Sequence, residues 1–279
     1  MPSTTSISTA RWCCARTSRA RVASSSMPRL GIIGTGLIGA SIGLAAHRRG
    51  WEVLGYDRDP AAASGALVGD AIDRVAERDE IYAECSVVAI AAHISGTLDE
   101  IAALRRRILH REQLVIDVSS VKAPIAAAAK GIAAFVPTHP MAGGERHGPG
   151  AARADLFEGR SWCYVPNADE TRTLQARAFI EDLGAKPVRI DAREHDAVVA
   201  LTSHLPQLIA YAFSQCVSER SSQNPELVDA LCGPAARELL RLGRSSPQLW
   251  DEIFSANDHA LRAELTHFLA AIDDRRISG

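Results

Sequence analysis

Residues 30–57 read LGIIGTGLIGASIGLAAHRRGWEVLGYD, and the order of residue types in that stretch decides the fold. The apolar run 30–33 predicts a strand. Gly34-x-Gly36-x-x-Gly39 predicts a tight loop opening a helix, and 52–56 predicts a second strand that ends on Asp57. In such a unit the first glycine allows the turn. The second lets the backbone approach a pyrophosphate, and the third lets the helix pack close to the strand. The helix start at Leu37 and Ile38 offers free N–H groups and roughly half a unit of positive charge to that pyrophosphate. Asp57 stands about twenty residues beyond the loop, where an acid meets ribose hydroxyls. A glycine-rich βαβ turn that binds nothing would share the glycines. The strand before, the helix after and the acid on the next strand favour dinucleotide binding.

Outward from this unit, strand and helix signals alternate. Residues 60–77 are Ala-rich and helix-prone. The continuous apolar run 86–91 reads as a strand buried on both faces. Residues 96–110 read as a helix with Leu98, Ile101, Ala102, Leu104 and Ile108 toward a core. Further strands are expected at 114–117, 134–137, 162–165 and 187–190, and helices at 121–130 and 169–183. The alternation predicts an α/β Rossmann-type, doubly wound parallel sheet. From 191 onward no strand-like alternation remains. Helices are expected at 194–203, 206–218, 225–242, 247–257 and 259–274, with Pro206, Pro225 and Pro247 at tolerant first-turn positions. The chain therefore divides into a dinucleotide-binding domain, 28–190, and an all-α substrate and dimerisation domain, 191–279. The run 208–217 (LIAYAFSQCV) is apolar almost all round and must be buried. The expected cover is a second subunit, giving a homodimer through the C-terminal domain.

The chain has 279 residues, 47% hydrophobic and 23% charged, with a net charge of −2, an ordinary globular composition. No basic footprint for nucleic acid or an anionic membrane stands out, and no apolar run approaches the roughly 20 residues of a membrane helix. The six cysteines show no C-x-x-C pair and no disulfide or zinc framework, so reduced thiols and a cytoplasmic location are expected. Cys216 and Cys232 read as small core residues on helices. Residues 1–27 carry arginines without acids and many Ser and Thr. They read as a disordered leader or a mis-assigned start, with Met27 the favoured functional start.

Ligands of open α/β sheets bind beyond the carboxyl ends of the strands. His139, at such an end and held before Pro140, is placed to act as a general base. An ordinary imidazole pKa near ~6.5 suits proton removal from a hydroxyl at neutral pH. His195 and His204 lie near the domain junction, where helix caps and satisfied core groups are equally good readings. They are not spaced as a metal pair, and no metal site is expected.

Several motifs together resemble the prephenate dehydrogenase family, which includes arogenate and cyclohexadienyl dehydrogenases. They are GTGLIGAS at 34–41, GYDR at 55–58, D-x-x-S-V-K at 117–122, HPMAG at 139–143, LF at 156–157, HD at 195–196, SHLP at 203–206, and Pro247-x-x-Trp250 with Asp251 and Ile253. The resemblance spans nearly the whole chain after the leader. It implies NAD-dependent oxidative decarboxylation of a cyclohexadienol to a phenol, as in tyrosine biosynthesis. By the same resemblance His139 accepts the hydroxyl proton, and Ser120 hydrogen-bonds the hydroxyl or that histidine. Arg241, nine residues before Trp250, binds a substrate carboxylate. Glu145 lies near the pocket mouth, and Ser203 and His204 begin the helix that closes the substrate site. The family often has histidine directly after SHLP, where this chain has Gln207. The substrate-side amide leaves prephenate, arogenate or both open. Asp57 predicts NAD over NADP, with Arg58 beside it softening the preference. A β-hydroxyacid dehydrogenase would need a catalytic lysine in its second half, and none follows Lys186. A non-catalytic NAD-sensing protein would need neither His139 nor Arg241.

Overall fold

The computed structural model describes residues 27–144 and 146–277; the expected leader and Glu145 lie outside them. The first part of the chain runs β1 (Arg29–Ile33), α1 (Leu37–His47), β2 (Glu52–Tyr56), α2 (Pro60–Val68), β3 (Arg74–Val75), α3 (Arg78–Glu84), β4 (Val87–Ile90), α4 (Ile94–Leu104), β5 (Leu114–Asp117), α5 (Ala123–Ala129) and β6 (Phe135–Val136). It continues through β7 (Thr138–Pro140), β8 (Ser161–Tyr164), α6 (Glu170–Asp182) and β9 (Lys186–Arg189). The remainder is helical: α7 (Ala192–Val199), α8 (Leu205–Ser221), α9 (Pro225–Leu231), α10 (Pro234–Leu242), α11 (Pro247–Ala256) and α12 (Asp258–Ile277).

Six strands form a parallel sheet in the order β3-β2-β1-β4-β5-β6. The order reverses between β1 and β4, so a crevice opens above their carboxyl ends. The central strands are apolar on both faces because helices cover both. α1 lies unusually close to the sheet. A Cβ on Gly39 would stand 1.9 Å from the Gly34 carbonyl oxygen, and one on Gly43 would stand 1.9 Å from that of Ala71.

Three strands depart from the expected single parallel sheet. β7, β8 and β9 form a sheet of their own, with β7 antiparallel to β8. Only Pro137 separates β6 from β7. One residue cannot make a crossover, so the chain bends out of the first sheet and carries His139 with it.

Other expectations change at their ends. The helix expected over 60–77 stops at Val68. Gly69 caps it, Asp70 turns with φ 54°, and Arg74–Val75 joins the sheet edge. The helix expected over 96–110 ends at Leu104. Ile108 therefore loses the face that would have buried it and is fully exposed, and Ala102 on the outer side is exposed as well. The helix expected over 225–242 is broken into α9 and α10 by Cys232-Gly233-Pro234, where proline removes a donor and clashes with the preceding turn. Cys216 is exposed and Cys232 half-buried at a helix end. Among the described residues the buried thiols are Cys85 and Cys163.

The helices expected at 194–203 and 206–218 are one continuous rod, Ala192–Ser221, joined by a π-helical turn at Ala200–His204. Leu205 N–H reaches back five residues to Ala200 O, and Pro206 follows where the regular ladder has already been interrupted. Joined in this way, the rod is long and apolar enough by length and composition to cross a membrane, which neither expected segment was. It carries buried His195 and Asp196 against the sheet region, and buried His204 against Asn257 and Trp250.

Candidate active site

The glycine loop has the form the sequence predicts. Gly34 adopts φ 99°, and a Cβ there would stand 2.4 Å from the carbonyl oxygen of Ala91, across the crevice. A Cβ on Gly36 would meet nothing within 4 Å, so open space lies over the loop. α1 begins at Leu37 with no side-chain cap and no acid in its first turn. Its first N–H groups and dipole are thus free for an anion. Asp57 directly follows β2 and binds the loop itself, accepting from Thr35 N at 2.7 Å, Thr35 Oγ1 at 3.2 Å and Asp59 N at 3.0 Å. It holds the loop's shape while remaining half-buried at the crevice rim; Arg58 is exposed beside it.

His139 is presented by a buried polar cluster beneath it. Asp117 ends β5, and its carboxylate accepts from Thr138 N at 2.9 Å, Ser119 N at 2.9 Å and Lys122 Nζ at 2.5 Å. Lys122 Nζ also donates to Thr138 O at 2.6 Å. The Thr138 hydroxyl donates to Asp117 O and accepts from Trp162 Nε1 at 2.9 Å. Every polar atom of Thr138 is therefore committed, which fixes the residue before the histidine. Lys122 and Asp117 have no exposed side-chain surface. Burial pulls the Lys122 pKa below its usual value, against the opposing pull of Asp117. Removing either partner would strand a buried charge, at a cost of about 3–5 kcal/mol.

The half-buried ring of His139 meets the helical region. Its Nδ1 lies 2.9 Å from His195 Nε2, and His195 Nδ1 lies 2.8 Å from Asp196 Oδ1. The Asp196 carboxylate also accepts from Lys122 N at 2.6 Å and Ala123 N at 2.8 Å, at the start of α5. These bonds determine the tautomers. A carboxylate holding two N–H donors is an acceptor, so His195 Nδ1 carries the proton and its Nε2 accepts. His139 Nδ1 therefore donates, and His139 Nε2 is left with a lone pair. Burial first, and then the Lys122 charge and the two neighbouring histidines, pushes the His139 pKa well below the usual imidazole value, which keeps the ring neutral. Burial also pushes His204 down to about 4, against the opposing pull of Asp196.

The other sequence-derived residues fall around this centre unequally. Ser120 is half-buried on the loop between β5 and α5 and has no side-chain partner among the described residues. Ser203 is half-buried in the π turn, and His204 is buried at its end, its ring edge-on to Trp250 with centroids 6.1 Å apart. Gln207 is buried and donates to Leu242 O at 2.9 Å, so part of its amide serves to dock α10 on α8. Arg241 lies one residue before that carbonyl, on the last turn of α10. There its guanidinium pairs with Glu238, both side chains being partly solvent-exposed.

Sequence reasoning left Asp117, Lys122, Thr138 and Asn257 without roles, and left His195 and Asp196 undecided. The paired HD at 195–196 was the readable signal for the relay. Glu252 on α11 was also missed. It accepts from Ile94 N at 3.1 Å and Ser95 Oγ at 2.8 Å, capping α4 at the crevice from the helical region. Beside it Ile253 packs with Ile94 and Val121.

Comparison with known proteins agrees with this construction. Residues 42–189 match the prephenate dehydrogenase nucleotide-binding domain, and residues 191–277 match the prephenate dehydrogenase dimerization domain. The chain is 31% identical over 259 residues to a cyclohexadienyl dehydrogenase of Zymomonas mobilis, covering 88% of this chain and 87% of that one. A prephenate dehydrogenase from A. aeolicus, solved in complex with hydroxyphenyl propionate and NAD+, superposes with a TM-score of 0.81 at 25% identity over 90% of each chain. A Synechocystis arogenate dehydrogenase superposes with a TM-score of 0.73 at 26% identity over 88% of this chain and 90% of that one. With both family domains matched in order along one chain, and a curated relative matched over most of its length, this chain belongs to the prephenate dehydrogenase family.

Proposed function

We propose that the protein is an NAD-dependent prephenate dehydrogenase, converting prephenate to 4-hydroxyphenylpyruvate with loss of carbon dioxide. The observation that carries this reading is the relay from Asp196 through His195 to His139, which leaves His139 Nε2 as a proton acceptor. The cofactor reading rests on the open space over Gly36, the uncapped start of α1 and the acid at the end of β2. Leu37, Ile38 and Gly39 would face the pyrophosphate with their N–H groups. Asp57 would accept from the ribose diol and repel a 2′-phosphate, with Arg58 moderating that choice. When bound, the nicotinamide supplies a two-electron acceptor for hydride.

The chain's own groups handle the proton and the carboxylates. His139 Nε2 takes the proton from the ring hydroxyl as hydride leaves the same carbon. Its imidazolium is then stabilised through His195 by the Asp196 carboxylate, the part an aspartate plays in a serine-protease triad. The ring carboxylate's C–C bond breaks next, and its electron pair makes the ring aromatic. The proton on His139 can return to the phenolate oxygen. Base assistance of this kind is worth roughly 10²–10⁴-fold. Ser120 is free to hold the hydroxyl. Arg241, partly exposed at the end of α10 and paired there with Glu238, would bind a substrate carboxylate. Its planar fork suits a carboxylate. Ser203, His204 and Gln207 line the helical side, and Glu145 is assigned to the mouth by family resemblance alone.

The same reading divides the chain near residue 190 and makes it a cytoplasmic homodimer paired through the helical domain. Arogenate is the alternative substrate, supported by the likeness to the Synechocystis enzyme. The test is an absorbance assay for reduced nicotinamide with NAD and either prephenate or arogenate. A rise with prephenate is expected. A rise with arogenate alone moves the assignment to the alternative, and none with either overturns both.

A further inference from the structure

His204 and His139 sit in one site, yet the bonds around them differ in polarity. His204 is 99% buried (1% exposed), and its Nε2 meets no partner among the described residues. Its Nδ1 lies 3.2 Å from Asn257 Nδ2. The same amide nitrogen lies 2.7 Å from Asp196 O. A backbone carbonyl can only accept, so the atom facing Asp196 must be the amide nitrogen. The orientation of Asn257 follows from its partner's chemistry. That nitrogen has two hydrogens. One goes to Asp196 O, and the other points at His204 Nδ1. His204 Nδ1 must therefore carry the lone pair, and the proton of the neutral ring must sit on Nε2.

We propose that Asn257 is a positioning residue that locks His204 as an Nε2–H donor, opposite in polarity to the acceptor Nε2 of His139. The site then holds two neutral histidines of fixed and opposite character. One removes a proton from the substrate. The other offers a proton to an unprotonated oxygen of it, of which a carboxylate is the strongest this substrate class carries. Asp196 links the two settings. Its side chain orients His195 and so His139, while its backbone carbonyl orients Asn257 and so His204. Only the last step, contact with substrate, rests on the proposed function. The tautomer is a property of the free protein.

The experiment is ¹⁵N–¹H correlation of histidine-labelled protein at about pH 8.5, roughly two units above an ordinary imidazole pKa. The His204 signals are assigned by their loss in His204→Gln. The expected result is Nε2–H for His204 and Nδ1–H for His139 and His195. His204 found as Nδ1–H overturns the proposal, whatever the variants do. In Asn257→Asp the amide donor becomes an acceptor of the same shape. His204 should switch to Nδ1–H, and KM for the ring substrate should rise roughly tenfold to a hundredfold with kcat little changed. A purely structural role would not produce that pairing of tautomer and KM. An unchanged tautomer, or a switched tautomer with unchanged KM, overturns the proposal. Should Asn257→Asp not fold, Asn257→Leu removes the donor without adding charge. It is expected to give mixed tautomers and a smaller rise in KM; a pure Nε2–H ring in that variant is the overturning result. Because the spectra need no substrate, failure here is distinguishable from failure of the assigned reaction.

Discussion

The sheet region and the helical region bury themselves in different ways. In the first, helices on both faces of the parallel sheet contribute to two large apolar clusters, and the core closes within one chain. In the second, α9 and α10 bury no residue at all, and Leu227 and Leu231 are 53% and 76% exposed. The first closes its core within the chain, and the second leaves apolar side chains of α9 uncovered in a stretch that matches a dimerization domain. The proton relay crosses the seam between them, with His139 on one side and His195 and Asp196 on the other. The relay is thus shared between a region whose core is closed and one whose outer helices are uncovered.

The sharpest way to break this contrast is at its rigid end. His139→Asn should lower kcat by roughly 10²–10⁴-fold while NAD affinity, measured by fluorescence titration, stays unchanged. Turnover near that of the wild type would remove His139 from its role. At the other end, Leu231→Asp should weaken the proposed homodimer by roughly 10²–10⁴-fold, since a buried leucine contributes roughly 1.5–3 kcal/mol and two-fold symmetry counts it twice. Sedimentation would show monomer at micromolar concentration. An undisturbed dimer would put the interface elsewhere.

Two smaller effects refine the picture of the scaffold. Asp57→Ser should raise the NADP to NAD preference about tenfold, because a like charge no longer opposes the 2′-phosphate. Unaltered selectivity would leave Asp57 as a brace for Thr35 only. The smallest expected effect concerns pH. A base must be neutral to act, and His139 is held well below the usual imidazole value. So kcat/KM should stay flat as pH falls from about 8 through 6.5, and decline only below that. A decline centred near 6.5 would show an unperturbed base.

What could be read along the chain was whatever is local. The glycine loop, Asp57 and the histidine of HPMAG each declare themselves within a few residues, because turn chemistry and strand ends are short-range. The second sheet was not legible. It depends on Pro137 leaving no room for a crossover and on Thr138 being pinned by Asp117 and Lys122, contacts that no periodicity encodes. The relay was half legible. His195 and Asp196 stand out as a pair, but their partner lies 56 residues away in a different element. Asn257 gave no signal, since its importance lies in a carbonyl and a ring brought together from distant turns. The expected single helix over 225–242 is broken for a local reason, the Gly233-Pro234 step.

The π turn at Ala200–His204 acts on the site as a phase shifter. His195 and His204 are nine residues apart. On an uninterrupted α-helix, at roughly 100° per residue, they would point in opposite directions. One additional residue accommodated in a single turn advances the rod by roughly that same 100° and brings the two rings toward a common side. The consequence is a form of vulnerability unlike that of any side chain. Were this turn to relax into a regular α-helical ladder with no residue lost, the rod's hydrogen bonding would improve, but His195 and His204, still nine residues apart, would return to opposite directions. His204 would then rotate out of register with the relay. In this rod, a better helix would make a worse enzyme.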